Sequence, residues 1–206
     1  MNLGTRRAAH LSFCVASLAV LTALATTACG QTAQSGNAFS TLTVRAGALW
    51  QSTDSRFSKF YAPSTGYSAE LSMPFNLGEF GLAIERATFT GLEPTPHPDF
   101  HGTVGILKWR MPLPSLGPFT AAIGVHAGAM QFSFQDTAIA PGLQKEMEEV
   151  FGVNAIGSLR LPAHFSAFVM GEYTHVYLHV PVHISPLTAG IGYTATTPGW
   201  LRDFLR

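Results

Sequence analysis

Three short turns of one design constrain this chain more than any other feature. In each, an apolar residue precedes Pro, turn formers follow, and Phe closes the segment. They are Met73-Pro74-Phe75-Asn76-Leu77-Gly78-Glu79-Phe80, Met111-Pro112 through Gly117-Pro118-Phe119, and Leu161-Pro162-Ala163-His164-Phe165. Each lies between runs in which apolar and polar residues alternate, the period of a strand with one apolar face. The connections between the turns are longer and more polar. Such punctuation describes successive antiparallel hairpins, with short turns at one end and long loops at the other.

Eight strands are read this way, at about residues 41–50, 67–75, 80–90, 102–111, 119–132, 150–161, 166–179 and 187–196. On the second, Tyr67, Ala69, Leu71, Met73 and Phe75 oppose Ser68, Glu70 and Ser72. The long connections are residues 51–66, 91–101, 133–149 and 180–186. Lys145 with Glu146, Glu148 and Glu149 falls in the third of these and reads as a solvated loop face, with a helical turn over residues 144–151 as an option. A short amphipathic tail follows near Trp200.

Composition decides what surrounds the strands. Charged residues make up 12% of the 206, against roughly 25% in soluble domains. Hydrophobic residues reach 47%, yet past residue 30 no run approaches the ~20 apolar residues of a membrane helix. Alternating strands of about 9–11 residues are the other means of crossing a bilayer. The fold class expected is therefore all-β, an eight-stranded antiparallel up-and-down transmembrane barrel over residues 40–197. Its low charge leaves no Lys- and Glu-rich outer face. That argues against the rival, a periplasmic or lipid-anchored soluble barrel with a polar exterior and an apolar ligand cavity. Trp50, Tyr67, Phe75, Phe80, Trp109, Phe119, Phe151, Phe165, Tyr177 and Tyr193 gather near strand ends, where two aromatic girdles are expected.

Residues 1–28 read as a secretory signal: Arg6 and Arg7, an uncharged stretch over residues 11–25, then small residues. Residues 29–39 read as a flexible leader and 198–206 as a tail. Removing the signal leaves 10 basic and 12 acidic residues. Such a balance carries no electrostatic footprint for nucleic acid. Cys14 departs with the signal, so no internal disulfide is expected. Cys29 has two readings: a lipidation site, in a box where Thr26 replaces the usual Leu, or a residue of the cleaved peptide.

The strand pattern and loop asymmetry of residues 40–197 resemble the small outer-membrane barrels of the OmpA and OmpW kind. That resemblance implies residence in the bacterial outer membrane, assembly by the barrel-assembly machinery, contact with outer-membrane lipid, and loops free to bind an external ligand. One departure is the C-terminus, where Leu205 and Arg206 follow Phe204; the segment near Tyr193 would then carry the assembly signal.

Charges enclosed by a barrel persist only when paired. Arg45, Glu70, Glu85 and Lys108 fall at similar depth on neighbouring strands and are expected to form a lumenal ladder, with Arg110 and Arg160 balancing the acids. Arg86 beside Glu85 breaks the alternation and is expected to mark a bulge. A polar aromatic cluster comprises Glu172, Tyr173, His175, Tyr177 and His179, with His183 beyond, and reads as a lumenal and rim row. It is not a metal site within one strand, because His175 and His179 lie about 13 Å apart at strand rise. In the loop before strand four, His97, Asp99 and His101 lie close, but prolines on both sides of His97 favour an ordinary exposed loop. Some eight-stranded outer-membrane barrels are lipid A deacylases, with a His-x-Ser pair on one strand and an acid on another. The nearest match read to that pattern is His175-Val176-Tyr177, where Tyr177 occupies the serine position. No phosphate loop, nucleophile elbow or CxxC is present, and no cofactor is expected. The chain reads as a non-enzymatic barrel with a structural or surface-binding role, with a lipid A-modifying hydrolase as the alternative.

Overall fold

The computed structural model describes residues 38–54, 57–62, 64–92, 99–134, 145–178 and 182–205. The signal segment, Cys29, His97 and His179 lie outside the described residues. Eight strands close into one antiparallel barrel in sequence order: β1 (Thr41–Thr53), β2 (Ser64–Phe75), β3 (Gly78–Phe89), β4 (Phe100–Pro112), β5 (Phe119–Phe134), β6 (Lys145–Arg160), β7 (Phe165–Val176) and β8 (Val182–Thr196). A six-residue helix, α1 (Gly199–Phe204), follows.

The register fixes the shape. Passing once round through Thr43, Ser72, Gly81, Lys108, His126, Gly152, Thr174 and Ile184 returns to β1 at Thr53, ten residues beyond the start. For eight strands at ordinary strand spacing, that stagger corresponds to a tilt of about 40°. So narrow a tube brings backbones close. A Cβ on Gly128 would lie 2.0 Å from the Gly105 carbonyl oxygen, and one on Gly190 2.0 Å from that of Ala46. Glycine is required at both positions.

The three Pro/Phe segments form the short connections, residues 76–77, 113–118 and 161–164. Asn76 takes a φ of 51°, which Asn tolerates; Ala163 and His164 take 57° and 67°. Most strands exceed their expected lengths, and they do so at the long-connection end. The largest difference is β6, which begins at Lys145. Lys145, Glu146, Glu148 and Glu149 therefore lie on a strand, paired with β5 from Ser133 to Ala129, and not in a helical turn or loop. β7 ends earlier than expected, at Val176. The pairing of β2 with β3 runs unbroken past Tyr67↔Arg86 and Ser68↔Glu85, so there is no bulge at Arg86. Arg86 simply faces outward beside Tyr67, while Glu85 faces in.

Apolar side chains cover the middle of the barrel's outer surface. Leu71, Leu82, Ile84, Leu107, Val125, Val153, Val169 and Ile191 are all exposed there. Phe75, Phe80, Trp109, Phe119, Phe165 and Tyr193 ring the short-turn side of this band. Trp50, Tyr67, Phe151, Tyr173 and Tyr177 ring the other side. Phe165 and Tyr173 are eight residues apart on β7, about 20 Å along the barrel axis at this tilt.

Beyond the second ring the pattern inverts. Thr88, His101, Thr103, Gln131 and Ser133 face outward, and Leu49, Phe89, Phe100, Val104, Ile106, Met130, Phe132 and Val150 are buried within. The long-connection third of the lumen thus carries an apolar core.

Candidate functional site

Two groups of chemically capable side chains stand out, one inside the barrel and one on its outer rim. Inside, Arg45 reaches Glu70 at 2.6 Å and holds Glu79 through both guanidinium nitrogens at 2.9 Å each. Arg110 forks onto both oxygens of Glu70 at 2.6 Å each, donates to Asn154 at 2.8 Å and reaches Glu79 at 3.1 Å. Lys108 donates to Glu85 at 2.9 Å and to Glu172, with Glu70 at 3.7 Å. His126 sits against Thr174 at 3.0 Å. Bidentate Arg–carboxylate pairs are the strong, geometrically fixed form of such contacts.

The structure thus brings together Arg45, Glu70, Glu85, Lys108 and Arg110. It leaves out Arg160, which points inward by parity but stands exposed at the last residue of β6, level with the short turns. It adds Glu79 and Glu172. Glu79 was hidden inside a turn motif; its even spacing from Glu85, six residues, places both on the inner face of β3, and that parity was readable. Glu172 had been grouped with its neighbours Tyr173, His175 and Tyr177. Alternation separates them: Glu172 is buried in the lumen, and the other three face out.

Below this network a vestibule of about 280 Å³ opens toward the short-turn end and stops at Arg45 and Glu79. Above it the apolar core fills the tube. A 3-10 turn, Phe57–Lys59, caps that core. Phe57 stacks on Tyr61 at 4.8 Å and meets Phe89 edge-on, and Phe89 stacks on Phe100 at 4.6 Å. Among the described residues, side chains occupy the lumen above the vestibule, leaving a void of about 10 Å³ beside Gln51, Glu85 and Val104.

The rim group is built by β7, β8 and the start of the first connection. His175 and His183 are directly opposite each other in the β7–β8 register, both outward. His175 Nδ1 lies 3.0 Å from His183 Nε2. Tyr173 stacks on His183 at 5.2 Å, and Tyr177 meets His175 edge-on at 4.7 Å. Asp54 fixes the third side. Its Oδ1 accepts from the Phe57 amide at 2.9 Å, its Oδ2 accepts from the His183 amide at 3.3 Å, and Oδ2 also lies 3.8 Å from His183 Nδ1. His101 is elsewhere on the rim, 3.0 Å from Thr88, and Asp99 accepts the Gly91 amide at 2.9 Å.

A His-x-Ser triplet does occur in this chain, at His183-Ile184-Ser185 rather than at His175. Both end residues face outward on β8. The sequence pattern starts strand eight at residue 187 and leaves this triplet in the connection before it, whereas β8 begins at Val182.

No family model matches the chain, and no curated protein matches it. Solved structures do. Neisserial surface protein A is similar at a TM-score of 0.56 and 15% identity, over 74% of this chain and 96% of that one. The Yersinia pestis outer membrane protein Ail, in a phospholipid bilayer nanodisc, gives 0.48 and 12% over 76% and 99%. The N-terminal β-barrel domain of Pseudomonas aeruginosa OprF gives 0.45 and 12% over 77% and 100%. At such identities the likeness is one of fold, and the first of them carries it: this chain has the closed, eight-stranded, up-and-down architecture of small outer-membrane β-barrels.

Proposed function

We propose that the chain works in the bacterial outer membrane as a sealed, non-enzymatic barrel, with a structural role or with binding of an external partner through its long connections. The observation that carries this is the apolar outer band between two aromatic rings, around an interior closed by side chains. An exposed apolar surface of that extent is untenable in water and is what lipid requires. The long connections then lie outside the cell and the three short turns in the periplasm. The partners that follow are outer-membrane lipid and the barrel-assembly machinery, with no role for nucleic acid. Density-gradient fractionation of cells tests this reading: the protein should sediment with outer membranes and show heat-modifiable gel mobility. Recovery in the soluble fraction without detergent would refute it.

A second reading moves the hydrolase from His175 to His183. Ser185 would be the nucleophile, His183 its base and Asp54 the group that orients the imidazole, on the outer face just beyond the apolar band. A serine needs its base within about 2.6–3.2 Å. Here the His183 Nε2 faces His175, which disfavours that chemistry as arranged. Lipid A mass spectra from cells expressing the wild type and Ser185→Ala should be identical; an acyl chain lost only with the wild type would establish the enzyme.

A further inference from the structure

We infer that His175 and His183 form a chelating site for a divalent transition ion of the copper(II) type on the outer rim of the barrel. Two imidazoles on adjacent strands, opposite in register, bring one nitrogen each into hydrogen-bond contact. The 3.0 Å between Nδ1 of His175 and Nε2 of His183 is close to what one ion demands. With metal–nitrogen bonds of about 2.0–2.1 Å, that separation subtends about 95° at the metal. Such an angle is the cis corner of a square-planar or tetragonal site, the geometry that copper(II) and nickel(II) prefer over zinc. Each ring turns by about 40° to swing its lone pair from the other nitrogen to the shared ion, and water completes the coordination.

Asp54 supplies what such a site needs behind its first ligands. A metal-bound histidine commonly gives its other ring N–H to a carboxylate, which fixes the tautomer and raises ligand basicity. Asp54 Oδ2 lies 3.8 Å from His183 Nδ1, and its position is set by the backbone amides of Phe57 and His183. Tyr173 stacked on His183 and Tyr177 against His175 limit both rings to few orientations. The site sits where β7 and β8 emerge from the apolar band, open to the medium: the His183 side chain is 37% exposed. Copper bound there would clamp β7 to β8 next to the connection that joins them.

The test uses the full barrel refolded in detergent, with copper(II) alone as the probe, by calorimetry and electron paramagnetic resonance. The expected result is one ion per barrel, a tetragonal spectrum and hyperfine structure from two imidazole nitrogens. His175→Gln and His183→Gln should each remove it, while heat-modifiable mobility shows that the barrel still folds; His175→Asn and His183→Asn serve if Gln disturbs the strand pair. Asp54→Asn should weaken binding about 10-fold or more, and Asp54→Glu should restore it. No saturable copper, copper that survives both histidine substitutions, or copper lost only with His179→Gln would overturn the assignment.

Discussion

At the scale of single residues, Lys108 decides the most. It is fully buried and stands between Glu85 and Glu172. Lys108→Met removes the cation and leaves two carboxylates enclosed side by side. Breaking a buried pair costs about 3–5 kcal/mol, so urea unfolding in detergent should show a loss of that order. Lys145→Gln, at an exposed position on β6, should change stability by less than about 0.5 kcal/mol. Equal losses would mean that the lumenal charges are hydrated. Much of this network was legible, because inward charges on alternating strands have nowhere to go but toward each other. Two misassignments have physical reasons. Arg160 has the inward parity but lies at the strand's end, where water competes for it. Glu79 lies near a turn by sequence, yet the Arg side chains of β1 and β4 are long enough to reach it.

Among the elements, the turns and the β6 extension carry the lesson. The Pro/Phe segments announced three hairpins because Pro and Asn confine the backbone locally. The start of β6 was illegible because Lys-Glu-Met-Glu-Glu suits a solvated loop equally well; pairing with β5, not local preference, makes it a strand. Ala163 pays for its turn with a left-handed backbone, which disfavours a residue with a Cβ by about 1–2 kcal/mol. Ala163→Gly should therefore raise stability by roughly 1 kcal/mol after the added flexibility of the unfolded chain is subtracted, seen as a higher urea midpoint. A lower midpoint would show that the turn is not left-handed at that residue. The rim chemistry escaped the sequence for a related reason: His175 and His183 meet only through the β7–β8 register, and Asp54 joins them from the far end of the chain.

For the molecule as a whole, the fold was legible from periodicity and turn spacing, but the interior was not. Period two says which residues share a face; it does not say where along the strand the outside changes from lipid to water. Under the proposed membrane placement, that change is what turns the upper lumen apolar. A barrel so filled should pass ions poorly, since eight strands enclose only enough room for side chains. Planar-bilayer recordings should show no stable porin-sized conductance, and such a conductance would reject the plugged interior. The most direct test of the account is whether lipid touches the two aromatic rings. Variants that keep a single tryptophan, either Trp50 or Trp109, should be reconstituted in bilayers with bromine placed at known depths on the acyl chains. Both fluorophores should be quenched most strongly by shallow bromines, with an aqueous quencher less effective. Quenching of both by the aqueous agent alone would place the apolar band in water and contradict the account.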